Sequence, residues 1–219
     1  MKSLVALSAL ILLASCTSKF SEKSIVKVLN AEGNSGGTGW VAPSSYGKVI
    51  VTNDHVCEVG FGGMVRIESE DGPSLKRVIK RNFVRDLCLI EGIDAPALTI
   101  ADKPAKRFDT VKVLGHPGLR PTAPASGTFT GNGIVPIGFG ARPDGSCPDG
   151  AEKIDSFFGT FCVLQMELGY TTVPIMPGNS GSPITNTDGE VIGVINSADS
   201  TGNQGMFVPL AYLKDMLRD

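Results

Sequence analysis

Short apolar runs of four to six residues, each closed by a turn cluster, dominate the chain from Ile25 onward and leave little room for anything but strands. A first set comprises Ser24-Ile25-Val26-Lys27-Val28-Leu29, Thr38-Gly39-Trp40-Val41, Lys48-Val49-Ile50-Val51, Met64-Val65-Arg66-Ile67 and Leu87-Cys88-Leu89-Ile90. Between them stand Gly33-Asn34-Ser35-Gly36-Gly37 and Asp71-Gly72-Pro73, residue types that favour turns. Residues 101–107 interrupt the pattern at Asp102-Lys103-Pro104 and read as a linker. A second set then follows at Thr110 to Leu114, Gly127 to Thr130, Phe161 to Met166, Glu190 to Ile195 and Met206 to Val208. The stretch from Gly138 to Thr160 is rich in Gly, Pro and Asp, and reads as an inserted surface loop. Leu210, Leu213, Met216 and Leu217 have helical spacing, so a short helix closes the chain. With 27 Gly and 14 Pro to supply turns, the two strand sets point to two β-barrels, at residues 25–107 and 108–219.

The N-terminus has a different character. Lys2 precedes the apolar run Leu4 to Leu13 and the small residues Ala14-Ser15 before Cys16. A short positive start, about ten apolar residues and a small-residue end describe a signal peptide at residues 1–15. The run is too short to span a bilayer as an ordinary helix. Leu13-Ala14-Ser15-Cys16 resembles the bacterial lipobox, which implies that Cys16 is lipidated and becomes the mature N-terminus. Residues 16–24 then form a polar tether, and the protein is expected at the cell envelope, on the extracytoplasmic side. In that oxidising setting Cys57, Cys88, Cys147 and Cys162 suit two disulfides, and three pairings are open. Cys147 and Cys162 bracket the second half of the 138–160 stretch. The formal charge of −2 provides no basic field for nucleic acid. Two His and five Cys without paired ligand spacings imply no metal site.

Three segments carry chemistry, each at the edge of an expected strand. They are Thr52-Asn53-Asp54-His55-Val56-Cys57, Arg85-Asp86-Leu87-Cys88-Leu89-Ile90 and Pro177-Gly178-Asn179-Ser180-Gly181-Ser182-Pro183. Together they supply an imidazole, a carboxylate and a hydroxyl. A serine hydroxyl becomes a useful nucleophile when a base takes its proton, and an imidazole titrates in the right range. A carboxylate on the other imidazole nitrogen fixes the tautomer and stabilises the imidazolium. Asp54 adjoins His55, but immediate neighbours rarely have that geometry, so Asp86 is the expected partner. The glycines beside Ser180 let the N–H groups of Gly178 and Ser180 point into one small volume, where an oxyanion would bind.

These segments resemble the chymotrypsin-fold serine proteases, most closely the bacterial HtrA/Deg-type and glutamyl-endopeptidase-type branches. The order His55, Asp86, Ser180 matches that fold and neither subtilisin nor the α/β-hydrolases. Gly36-Gly37-Thr38-Gly39-Trp40-Val41 resembles the opening of the family's first barrel, and Val113-Leu114-Gly115-His116-Pro117-Gly118 that of its second. Thr172-Val173-Pro174-Ile175-Met176 before Ser180 and Glu190-Val191-Ile192-Gly193-Val194-Ile195 after it resemble the segments flanking the nucleophile.

The resemblance implies an all-β fold of two six-stranded antiparallel barrels, with His55, Asp86 and Ser180 as catalytic residues. It implies an oxyanion hole at Gly178 and Ser180, a peptide or protein substrate, and no cofactor. His116 is expected to be structural and Trp40 to pack a core. Because the triad would bring His55 and Asp86 together, the implied disulfides are Cys57–Cys88 and Cys147–Cys162. The family's main selectivity pocket falls on Val173, Pro174 and Ile175 along one wall and Ile195, Asn196 and Ser197 along the other. Pro174 sits near the position where trypsin-like enzymes carry an acid, and no His follows Ser180, so small or medium apolar residues are expected before the cleaved bond. The alternative from another class is a catalytically silent binding protein of the same fold.

Overall fold

The computed structural model describes residues 21–141, 144–157, 159–199 and 204–219. The expected leader, Cys16 and the tether as far as residue 20 lie outside the described residues. Six strands form the first unit: β1 (Ile25–Leu29), β2 (Gly36–Ser44), β3 (Gly47–Thr52), β4 (Met64–Ser69), β5 (Gly72–Asn82) and β6 (Leu87–Glu91). They close into an antiparallel barrel in the order β1-β2-β3-β6-β5-β4. Seven form the second: β7 (Thr110–Gly115), β8 (Ala123–Gly140), β9 (Glu152–Ser156), β10 (Gly159–Thr171), β11 (Pro183–Thr185), β12 (Val191–Ala198) and β13 (Gly205–Pro209). Their order is β13-β12-β11-β7-β8-β10-β9, and β13 also pairs with β10. Six of these strands thus make a ring and β9 is attached outside it. This is the chymotrypsin-like fold, with a seventh strand added to the second unit.

The apolar residues of β1 to β3 are buried on both faces of the strands. Side chains alternate across a strand, so Val26, Val28, Val41 and Ile50 fill the first barrel. Their neighbours Trp40, Ala42, Val49 and Val51 face outward into a second cluster, shared with Val111, Val113, Val194 and Leu213 of the other unit. The barrels are therefore joined by core and not by a wet seam. The helix α2 (Leu210–Arg218) buries Leu210, Leu213, Met216 and Leu217. The Leu217 carbonyl also accepts the Ser45 N–H at 2.9 Å, which ties the helix to the first barrel.

Two expectations need correction. The stretch 138–160 is not one surface loop: β8 runs to Gly140, and β9 and β10 form a hairpin that leaves residues 141–151 as the connection. Every residue of β9 is exposed, so backbone pairing with β10 holds it without an apolar pattern. The 101–107 segment is not wholly a linker either, because Ala101 is buried and its N–H donates to the Val191 carbonyl at 2.9 Å. The disulfides are Cys57–Cys88 and Cys147–Cys162. On a chain-entropy basis a loop the length of the first contributes roughly 3–4 kcal/mol.

Candidate active site

β3 ends at Thr52 and the chain turns into a single helical turn, α1 (Asp54–Cys57), which carries His55. Asp86 ends the tight 3-10 turn Phe83–Arg85 in the left-handed region, at φ 47°, and leads into β6. Its conformation aims the carboxylate back at α1. Oδ1 accepts the backbone N–H of His55 at 2.9 Å, and Oδ2 faces His55 Nδ1 at 2.8 Å. A carboxylate only accepts, so the imidazole proton lies on Nδ1 and Nε2 keeps a free lone pair. The backbone carbonyl of Asp86 is held as well, by the Asn53 amide at 3.0 Å. The Cys57–Cys88 bond lies two residues beyond both groups and ties their segments together.

Burial works against a charged His55, but the Asp86 hydrogen bond and charge outweigh it, with Glu58 and Asp54 adding smaller contributions, so the pKa is raised above 6.5. The contact therefore stabilises the fold most below about pH 6.5, and that contribution is lost as pH rises through the folded value. Asp54 does not compete for the imidazole. Arg81 of β5 grips its buried carboxylate with bonds of 2.7 and 2.9 Å and reaches Glu58 at 3.1 Å.

Ser180 follows the turn Pro177-Gly178-Asn179 and borders the same cleft as His55 and Asp86. Its hydroxyl donates to the Asn196 carbonyl at 3.0 Å. A trans peptide points its carbonyl and N–H in opposite directions. The Pro177 carbonyl accepts from Gly118 at 2.6 Å and the Asn179 carbonyl from Ser182 at 2.9 Å. The N–H groups of Gly178 and Ser180 consequently face away from those partners, and among the described residues neither has an acceptor.

The cleft has a volume of about 580 Å³. Phe83 lines one side, and Val135, Ile137, Leu164, Met166 and Met206 of the second barrel line the other. Of the six wall residues expected from sequence, Asn196 and Ser197 border it. Val173 and Ile195 do not, since both are fully buried in the core. Pro174 is exposed, and half-buried Ile175 packs against Gly205, where an added Cβ would lie 2.5 Å from its Cγ1. Asn196 has a further contact that its place in a wall did not suggest: its amide donates to Asp86 Oδ2 at 2.5 Å. His116 stands outside the cluster, with Nδ1 bonded to the Arg120 carbonyl at 2.8 Å. Burial lowers its pKa, so it is neutral near pH 7.

The sequence matches the trypsin-like peptidase domain over residues 37–194. The chain belongs to the trypsin-like peptidase family. Solved structures similar to this peptidase include an inactive mutant form of Rv3671c from M. tuberculosis. That chain is 22% identical with a TM-score of 0.65, and the match covers 90% of this chain and 85% of that one. The MamO protease domain of Magnetospirillum magneticum is 17% identical with a TM-score of 0.64, over 90% and 97% of the two chains. A serine endoprotease of Yersinia pestis is also 17% identical, with a TM-score of 0.61, over 89% and 61%. At such identities the likeness is one of fold. No curated protein matches the sequence. The matched domain makes this a serine-type peptidase, a class that acts on peptides or proteins.

Proposed function

We propose that the protein is a lipid-anchored, extracytoplasmic serine endopeptidase in which Ser180 is the nucleophile, His55 the general base and Asp86 its orienting partner. The observation that carries this reading is the Asp86 carboxylate, which receives both N–H groups of His55 while Ser180 opens onto the same cleft. For attack the Ser180 hydroxyl must leave the Asn196 carbonyl, by rotation about its Cα–Cβ bond, and give its hydrogen bond to Nε2. The Ser180 oxygen then attacks the substrate carbonyl carbon as its proton passes to His55. The oxyanion is met by the N–H groups of Gly178 and Ser180. His55 returns the proton to the leaving amine, the peptide C–N bond breaks, and an acyl-enzyme remains. Water, deprotonated by His55, releases the acid and restores Ser180. The bond from Ser180 to Asn196 is the observation that favours the second reading, a catalytically silent binding protein.

A fluorophosphonate probe distinguishes the two. Covalent labelling that maps to Ser180 supports catalysis, and an unlabelled Ser180 in folded protein favours the silent reading. The anchor rests on Lys2, the apolar run to Leu13 and the lipobox-like end at Cys16. Intact mass of the envelope protein is expected to show an acylated Cys16 as the first residue. A mature N-terminus upstream of Cys16 without lipid mass overturns it.

Because His55 works as a base only when neutral, its raised pKa places the acid limb of kcat/KM above pH 6.5. A rate profile already flat at pH 6 contradicts that assignment. The walls also bear on substrate choice. The second-barrel side of the cleft is mostly apolar and carries no charged residue, and the acids that line the cleft are engaged, Asp54 and Glu58 by Arg81 and Asp86 by His55. Ile175 fills the space over Gly205. Peptide-library profiling is therefore expected to show Ala, Val or Leu before the cleaved bond, with apolar residues favoured upstream. A dominant preference for Arg, Lys or Glu contradicts this pocket.

A further inference from the structure

One buried side chain of the first barrel is bonded into the loop that carries Ser180. Thr38, on β2, is fully buried. Its hydroxyl lies 2.7 Å from the Gly178 carbonyl and 3.0 Å from the His116 N–H. The carbonyl only accepts and the N–H only donates, so the hydroxyl proton is committed to Gly178. The Thr38 N–H is bonded as well, to the Ser180 carbonyl at 2.8 Å. Thr38 therefore holds the carbonyls on either side of Asn179.

Gly178 needs such a hold. It sits at φ 93°, a conformation that favours glycine and leaves its two flanking peptides free to turn. No other residue fits there, because an added Cβ would lie 2.3 Å from the His116 carbonyl oxygen. The peptide before Gly178 is pinned by Gly118, whose N–H meets the Pro177 carbonyl. The peptide after it is pinned by the Thr38 hydroxyl. The same hydroxyl also fixes the start of the His116–Arg120 turn on which Gly118 lies. One oxygen atom thus holds the second pin directly and joins the first through His116, whose turn is also closed by Leu119 N–H to the His116 carbonyl and Arg120 N–H to the Pro117 carbonyl.

We propose that Thr38 is the positioning residue of the oxyanion site. Its hydroxyl holds the Gly178 peptides so that the Gly178 N–H faces the developing oxyanion, and without it that N–H turns away. The inference rests on Ser180 being the nucleophile and on the two N–H groups receiving the oxyanion. Thr38→Val keeps the shape of the side chain and removes the hydroxyl, and Thr38→Ser keeps the hydroxyl.

The test uses the full chain in detergent, with succinyl-Ala-Ala-Ala-p-nitroanilide as substrate. The aldehyde acetyl-Ala-Ala-Ala-H serves as inhibitor, because its adduct places an oxyanion in the site. In Thr38→Val, kcat is expected to fall roughly tenfold to a hundredfold, short of the loss from deleting an oxyanion donor outright. KM should stay within about twofold, since ground-state binding does not use that N–H. The aldehyde should weaken by the same factor as kcat/KM, and Thr38→Ser should recover to within about threefold of wild type. A kcat within about twofold of wild type, or a fall in kcat with unchanged aldehyde affinity, overturns the proposal. Thr38→Ala gives the same readings if the Val variant does not fold, and failure of both to fold makes Thr38 a residue of the fold alone. Turnover surviving in Ser180→Ala, or wild type that neither turns over any peptide of the library nor takes the fluorophosphonate at Ser180, removes the protease reading itself.

Discussion

Ser180→Ala is expected to lower turnover at least about 1000-fold while the protein stays folded. The Ser180 side chain makes one hydrogen bond, to a carbonyl at the edge of the cleft, so its removal leaves no buried charge and only a small void. What disappears is the atom that forms the acyl-enzyme. Residual rate then comes from water attack aided by substrate positioning and the oxyanion site. His55→Ala should be about as damaging, and the double variant scarcely worse, because each single change already removes the covalent route. The check is peptide hydrolysis by variants whose circular dichroism and thermal unfolding match wild type. Full activity in a verified Ser180→Ala preparation sinks the mechanism.

Asp86→Asn is expected to cost about 1000-fold to 10000-fold in kcat although it changes no shape. The carboxylate accepts three N–H groups: the His55 backbone, His55 Nδ1 and the Asn196 amide. An amide offers one accepting oxygen and two donor hydrogens. Whichever way it is turned, a donor then faces a donor. The least costly escape is for His55 to move its proton to Nε2, and the lone pair that should take the Ser180 proton is lost. A second signature accompanies the rate. Burial already opposes a charged imidazole and the Asp86 contact is what overcomes it, so the remaining activity should titrate at lower pH than wild type. A variant with near-normal kcat, or an acid limb moved upward, contradicts the role given to Asp86.

His55, Asp86 and Ser180 are legible in the sequence because each lies in a short motif at a strand edge, in an order few folds share. β3 and β6 are legible because two-sided burial gives them unbroken apolar runs, as with Val49, Ile50 and Val51. β5 is not, since Lys76-Arg77-Val78-Ile79-Lys80-Arg81 shows a charged face to solvent and holds its place by pairing with β4 and β6. The same reason hides β9. The contact of Asn196 with Asp86 spans 110 positions, and that of Thr38 with Gly178 spans 140. Neither leaves a local pattern, because the barrels must pack before the partners meet. The expected selectivity walls are legible only in part: Asn196 and Ser197 border the cleft, and Val173 and Ile195 are buried in the core. A matched segment places the backbone of Ile195 in β12, but whether its side chain faces cleft or core depends on strand register, and a one-residue step reverses it.

Cys57 and Cys88 are both buried residues of the first barrel. Exchange with an external thiol requires the attacking sulfur to reach one of their sulfur atoms along the bond axis, and the burial of both residues hinders that approach. A reductant therefore acts on the chain before it folds or while it is open, and scarcely at all on the closed protein. Two chains of identical sequence can then differ lastingly, one with the His55 turn and the Asp86 strand cross-linked and one without, in the same buffer. The bond is a record of the conditions under which the barrel first closed, and it keeps that record through whatever surroundings the folded molecule meets afterwards.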